Sequence, residues 1–327
     1  MTQASDDLES ARELDVPQVG DMSEFEEDFT HVDDPEPHDP ESGSDAATGE
    51  TTEPTVSVVI PTRNEALNLP YVASRMPPVD EIIVVDGASS DDTVDVARRL
   101  WPHAVIVHQS RDGKGNALAC GFAAATSDII VMIDADGSTD PAEIPEFVAA
   151  LINGADLAKG SRFSHGGGSD DITTLRRFGN KGLNWLVNRI FSTGFADLCY
   201  GYNAFWRRHL SVIDLPDIHA SEPQWGDGFE VETIINVRMA RGDMAIREVG
   251  SHESPRIHGR SNLNAVSDGI RVLRTIDRER RSRRATLRSS EARSAEAQTG
   301  AEDQTGGQAQ TTNTADLPLG AGKVQRP

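Results

Sequence analysis

Ile129-Ile130-Val131-Met132-Ile133-Asp134-Ala135-Asp136 is a five-residue apolar run closed by two carboxylates two positions apart. In extended backbone, residues at that spacing project to the same side, so Asp134 and Asp136 can face one point beyond the end of a strand. Oxygen ligands suit magnesium and manganese, which complete their shells with substrate phosphates and water. Acidic residues also end strands and open turns, and Gly137 fits a turn. The pair therefore acquires meaning only from its surroundings.

Working outward, further apolar, β-branched runs occupy residues 56–61, 81–86, 104–108 and, less regularly, 156–160, with 128–134 among them. Helical patterns fill residues 67–75, 92–100, 116–126 and 141–152. Apolar strands alternating with helices of about ten residues predict an α/β fold with a parallel sheet covered on both faces. Such sheets bind ligands at the carboxyl ends of their strands. Those ends here are residues 62–65, 86–92, 111–115 and 134–138, which are nearly all polar, acidic or glycine.

Asp86 closes Ile82-Ile83-Val84-Val85 and precedes Gly87, so its carboxylate is expected in the cleft, where it can accept from a base or a ribose. Ser90 or Asp91 suits the N-cap of the following helix. The first strand runs into Thr62-Arg63-Asn64-Glu65, without the G-x-G-x-x-G of a dinucleotide fold. Arg111-Asp112-Gly113-Lys114-Gly115 lacks the glycine spacing and the Ser/Thr of a P-loop. NAD enzymes and simple kinases or ATPases are excluded.

The 327 residues carry a net charge of −22, unevenly placed: residues 1–54 hold 18 acidic side chains against one basic, leaving −5 for the rest. Residues 1–54 are poor in large apolar side chains and read as an acidic disordered tail. Residues 281–327 read as a basic, then polar, disordered tail, and residues 55–280 as one domain. No apolar run approaches the roughly 20 residues of a membrane-spanning helix, and no signal peptide opens the chain. Two cysteines, Cys120 and Cys199, make no disulfide framework, and no Cys/His spacing suggests zinc. The composition predicts a soluble cytoplasmic protein.

Taken together, these residues resemble the family 2 glycosyltransferases of the GT-A fold. The resemblance rests on Val58-Val59-Ile60-Pro61-Thr62-Arg63-Asn64-Glu65, Val85-Asp86-Gly87-Ala88-Ser89, Lys114-Gly115, Asp134-Ala135-Asp136, Gly160-Ser161-Arg162, Gly201-Tyr202-Asn203-Ala204-Phe205 and Arg256-Ile257-His258-Gly259-Arg260-Ser261-Asn262. Seven motifs in family order span residues 56–276, and within the family the chain is most similar to the polyprenyl-phosphate and dolichyl-phosphate sugar transferases. This implies a mostly parallel GT-A sheet with a Rossmann-like nucleotide-binding half and an acceptor half. It implies a nucleotide diphosphate sugar as donor: Asp86 on base or ribose, Pro61 and Glu65 lining the nucleotide pocket, and Lys114 near the nucleotide. Asp134 and Asp136 would organise Mg2+ or Mn2+ and the diphosphate, with Asp136 the direct ligand. Arg256 and Ser261 would lie in a loop closing over diphosphate and acceptor, where a guanidinium offsets charge on the leaving group. Relatives of the dolichyl-phosphate type usually carry Lys where this chain has Asn262, and Arg260 stands two residues before it.

Family 2 enzymes generally invert the anomeric centre in one displacement. A hydroxyl acceptor needs a general base, whereas a phosphate acceptor is already ionised. Asp227, expected to open a helix with Glu230 in a capping box, is the base candidate. Arg162 and Arg176, with Arg177 and Lys181, surround Gly166-Gly167-Gly168 and could grip an acceptor phosphate, or form the solvated face of an amphipathic helix. Residues 274–288 hold seven arginines against Asp277 and Glu279. Such a segment either makes peripheral contact with an anionic membrane face or is a solvated helix end. Nucleic acid is not an expected partner, since the basic cluster lacks interleaved aromatics. The acceptor is expected to be a polyprenyl phosphate, with a hydroxyl on a glycan or small metabolite as the alternative. A nucleotide-sugar-binding protein without turnover is the third reading.

Overall fold

In the computed structural model, residues 53–259 and 267–282 are described. The strands are β1 (Val56–Thr62), β2 (Glu81–Asp86), β3 (Val105–His108), β4 (Ile129–Met132) and β5 (Leu157–Ser161), then β6 (Gly168–Ser169), β7 (Asn203–Trp206), β8 (Ile246–Gly250) and β9 (His252–Glu253). The helices are α1 (Leu69–Arg75), α2 (Thr93–Leu100), α3 (Lys114–Ala124), α4 (Ile144–Ile152), α5 (Thr174–Phe191), α6 (Leu210–Ile213) and α7 (Val231–Arg241). A further helix, α8, covers residues 267–282.

The five apolar runs are strands, as expected. β1 pairs in parallel with β2 and β4, and β2 with β3. The sheet order is β3-β2-β1-β4-β7-β5-β8. β7 runs antiparallel to both β4 and β5, and β5 is parallel to β8. β6 and β9 form a separate two-stranded ribbon.

Alternation along β1 divides the core. Val58 and Ile60 face Leu69, Val72, Phe147 and Tyr202 on one side. Val59 faces Leu118, Phe122 and Ile235 on the other. Each such side chain contributes about 1.5–3 kcal/mol on burial. α3 lies close against the sheet because Gly121 has no side chain: a Cβ there would stand 2.4 Å from Val59 Cγ1. A third cluster joins α5, α7 and α8 through Val187, Phe191, Val237, Val272 and Ile276. No helix among the described residues is long and apolar enough to cross a membrane.

Helix starts differ from expectation at several places: α1 opens at Leu69, α3 at Lys114 and α4 at Ile144, and two others bear on the site. α2 opens at Thr93, one residue later than the pattern suggested, with Asp91 Oδ1 accepting from the Thr93 N–H at 3.1 Å. The helix expected from Asp227 begins instead at Val231. Glu230 reaches back to accept from the N–H groups of Gly226 (2.9 Å) and Gly228 (3.4 Å), which holds residues 226–228 as a turn ahead of the helix.

Candidate active site

The carboxyl ends of β1 and β4 open into a cleft of about 720 Å3. Pro61, Glu65, Lys114, Asp134, Asp136, Arg162, Arg176 and Arg256 all line it, so the fold gathers residues scattered over most of the domain. Asp86 ends β2 in register with Thr62, which lines the cleft, but is itself only 4% exposed and is not a lining residue. The Ser89 N–H donates to both its oxygens at 3.3 Å, and His108 Nδ1 lies 3.5 Å away. Ser261 lies outside the described residues.

Asp136 is held in two directions. Its Oδ1 accepts from the N–H (3.0 Å) and hydroxyl (2.6 Å) of Ser138, fixing the turn after β4. Its Oδ2 faces Arg256 Nη1 at 3.2 Å. Arg256 also pairs through Nη2 with Glu65 and donates through Nε to the carbonyl of His258 at 2.6 Å. Asn68, which is buried, donates to Glu65 Oε2 at 2.6 Å and accepts from the His258 N–H at 2.9 Å. The segment bearing Arg256 is thereby tied to the start of α1. Burial raises the Glu65 carboxyl above its ordinary value, against the pull of Arg256 and Asn68. Gly137, at φ +79°, makes room: a Cβ there would come 2.5 Å from Ile257 Cδ1.

Lys114, the first residue of α3, bridges Asp134 Oδ1 (2.6 Å) and Glu232 Oε1 (2.8 Å). Burial would lower its ammonium, but the two carboxylates outweigh that and hold it above the ordinary lysine range. Gly201 closes over this trio, and a Cβ there would lie 3.0 Å from Lys114 Nζ. Glu232 has no role in the sequence reading. Its signal is a lone acid in the buried run Val231–Val237 of α7.

Asp227 is not a lining residue. Arg111 grips its carboxylate at two points, Nε to Oδ2 and Nη2 to Oδ1, each at 2.8 Å. The Gln224 N–H adds a third bond at 2.7 Å. Burial would raise this carboxyl, but Arg111 and Gln224 hold it below the ordinary range. The Asp227 carbonyl accepts from the N–H groups of Gly115 and Asn116, so it caps α3. Arg162 is buried against Asp197 (2.7 and 2.9 Å) and Glu253 (3.0 and 3.1 Å). Burial would lower its guanidinium, but those two acids hold it above its ordinary value. Arg176 pairs with Asp171 at 2.9 Å. Both arginines reach the cleft with carboxylate partners already in place. α5, α8 and their surroundings add Ile172, Leu175, Leu183 and Val272 to the same lining.

The donor set fits a hard divalent ion. Asp134 and Asp136 offer carboxylate oxygens, the type magnesium and manganese prefer. Among the described residues no group of three or more His, Cys, Asp or Glu side chains converges for a metal. An ion here would depend on diphosphate oxygens and water for the rest of its shell, as magnesium sites commonly do.

A mostly parallel sheet, with an acid pair at a central strand end contacted by Lys114 and Arg256, is the architecture of the GT-A fold. Residues 57–213 match Glycosyl transferase family 2, and the chain belongs to that family. The undecaprenyl-phosphate mannosyltransferase of Micrococcus luteus is 32% identical over 232 residues, 67% of this chain and 91% of the relative. The polyprenol monophosphomannose synthase of Mycolicibacterium smegmatis is 36% identical over 185 residues, 53% and 69% of the two chains. An uncharacterized glycosyltransferase of Mycobacterium tuberculosis is 45% identical, but over 33% of this chain and 48% of its own length. The match thus spans about half of that relative. Among solved structures, glucosyl-3-phosphoglycerate synthase of M. tuberculosis, in complex with Mn2+, uridine diphosphate and glucosyl-3-phosphoglycerate, superposes with a TM-score of 0.53. It is 27% identical, covering 69% of this chain and 80% of that one.

Proposed function

We propose that this protein is an inverting, metal-dependent glycosyltransferase that moves a hexose from a nucleotide diphosphate sugar to a polyprenyl phosphate. One observation carries the reading: a single cleft joins the Asp134/Asp136/Lys114/Arg256 cluster to the apolar side chains Ile172, Leu175, Leu183 and Val272. A donor diphosphate suits the first set, and an isoprenoid chain suits the second. The named relatives that act on polyprenyl phosphates support the same acceptor class.

In the proposed reaction an acceptor phosphate oxygen attacks the anomeric carbon as the bond to the diphosphate breaks, and a nucleoside diphosphate leaves. Asp134 and Asp136 would hold Mg2+ or Mn2+, whose chemistry is to neutralise charge growing on the leaving diphosphate. Solved relatives with Mn2+ or Mg2+ and uridine diphosphate support that assignment. Pro61, Glu65 and, behind them, Asp86 hold the nucleoside. Arg256, poised between Glu65 and Asp136, offsets leaving-group charge, and Arg162 and Arg176 frame the acceptor phosphate. An ionised phosphate needs no base, which agrees with Asp227 being committed to Arg111. Asp227 then serves as a brace for α3 and Lys114.

The test is transfer of radiolabelled sugar from GDP-mannose or UDP-glucose, with manganese, to a short polyprenyl phosphate or to 3-phosphoglycerate. Label in the organic phase, lost in Asp136→Ala, is the expected result. Label transferred only to 3-phosphoglycerate would favour the small-metabolite acceptor. Donor binding without release of nucleoside diphosphate would favour a binding protein.

A further inference from the structure

α5 carries apolar side chains on both of its sides. Val187 and Phe191 are buried in the cluster it shares with α7 and α8. Beside them the protein-facing side carries amides: Asn180 donates to Asp197, Asn184 accepts from the Leu198 N–H, and Asn188 donates to the Phe195 carbonyl. Its outward side carries Leu175, Phe178 and Trp185, exposed by 72%, 68% and 68%. The spacings of three and seven residues place these three on one stripe, with Gly182 and Arg189 continuing it. Single exposed apolar residues are ordinary on a protein surface; a leucine, a phenylalanine and a tryptophan along one helix edge are not.

The charge of α5 is of one sign. Residues 174–191 contain Arg176, Arg177, Lys181 and Arg189 and no acid, in a chain of net charge −22. α8, which packs on α5 through Val272 and Ile276, exposes Ile270 (45%) and Leu273 (47%) beside Arg274. Aromatic and aliphatic side chains ringed by lysine and arginine suit the boundary of an anionic bilayer. There the rings sink to headgroup depth and each basic residue near the surface adds electrostatic attraction to the anionic lipid.

We infer that the outward face of α5, with the first turns of α8, docks this enzyme on an anionic phospholipid surface. Leu175, Leu183, Gly269 and Val272 belong to these same two helices and line the cleft, so docking would bring the cleft against the bilayer. A lipid phosphate could then enter from the membrane without leaving it. That purpose rests on the acceptor proposed above; the docking itself is read without donor or acceptor.

The experiment is co-sedimentation of the full chain with phosphatidylcholine vesicles, with and without phosphatidylglycerol. The comparison is with Phe178→Ser/Trp185→Ser and with Arg189→Glu/Arg274→Glu, at exposed positions outside the cleft lining. The wild type should pellet with phosphatidylglycerol vesicles, and both variants should lose binding about tenfold while keeping the donor-induced thermal shift. Binding retained in Phe178→Ser/Trp185→Ser would overturn the inference and assign attachment to the arginine-rich stretch alone. A wild-type dimer that the serine variant dissociates, without vesicle binding, would overturn it in favour of a second copy. Vesicle binding without any lipid-linked product would leave this inference standing and sink the proposed acceptor.

Discussion

Arg111 and Asp227, 116 positions apart, meet in a buried two-point ion pair that fastens the turn before α7 to the loop before α3. Arg111 also donates to the carbonyls of Asp217 (3.0 Å) and Ala220 (2.7 Å), so one side chain gathers the whole 217–227 segment. Breaking such a pair from one side strands a buried charge, at a cost of about 3–5 kcal/mol. Arg111→Met should lower unfolding free energy by that order in urea titrations, and a loss under about 1 kcal/mol would contradict the bracing role.

The same pair sets a pH dependence. Asp227 is held below the ordinary carboxylate range, so its contribution is fully present above the unfolded value of about 3.9 and is lost as pH falls through the folded value. Asp227→Asn should be less stable than wild type at neutral pH. Its melting temperature should fall less between pH 5 and pH 3, and parallel slopes for the two proteins would refute this.

Lys114 neutralises two carboxylates that would otherwise face each other across a poorly hydrated gap. Lys114→Met should be destabilised by about 3 kcal/mol or more and should bind donor weakly. Adding Glu232→Gln should recover part of the stability, with a coupling of about 0.5–3 kcal/mol from a double-mutant cycle. Strictly additive losses would argue that Glu232 does not act through Lys114.

Arg256→Ala should reduce kcat by about a hundredfold, the scale seen when one preorganised donor to developing charge is removed. Its melting temperature without ligand should fall by less than that of Lys114→Met, because Arg256 is more exposed than Lys114 and the buried Glu65 it leaves keeps its bond from Asn68. Asp136→Asn should abolish the manganese-dependent part of the donor thermal shift. An unchanged shift would remove Asp136 from the ion site.

Two glycines should respond in opposite ways. At Gly115 a Cβ would lie 1.8 Å from the Gly226 carbonyl oxygen, a backbone atom with no room to retreat, so Gly115→Ala should cost about 3 kcal/mol. At Gly182, within α5, nothing lies within 4 Å, so Gly182→Ala should stabilise by about 1 kcal/mol through helix propensity. Chemical denaturation of the two variants side by side checks both signs.

The first half of the sheet was legible because burial on both faces of a parallel strand leaves a continuous apolar run, and β1, β2 and β4 are such runs. β7 was not: Asn203-Ala204-Phe205-Trp206 is four residues long and opens on an amide, with no alternation long enough to read. β8, at the sheet edge, mixes Arg247 and Glu248 into its five residues and looks like loop. In the site, the motifs of the family resemblance pointed to Glu65, Asp134, Asp136 and Arg256, which line one cleft. Partnerships set by long-range packing were invisible, as with Asn68 on the Arg256 segment or Arg162 between Asp197 and Glu253. The aspartate at 227 misled because three consecutive polar-turn residues imitate a cap, while its real partner is 116 positions upstream.

The reversed strand β7 also dictates when this fold can close during synthesis. β4 acquires its second partner only when Asn203 to Trp206 arrive, and until then Ile129 to Met132 form an open, wholly apolar edge. Open edges of this kind recruit other chains. A nascent chain halted anywhere between residues 133 and 202 is therefore a candidate for chaperone capture or aggregation. Strands β1 to β4 are not a module that can be cut away and expressed without the strand that runs back beside them.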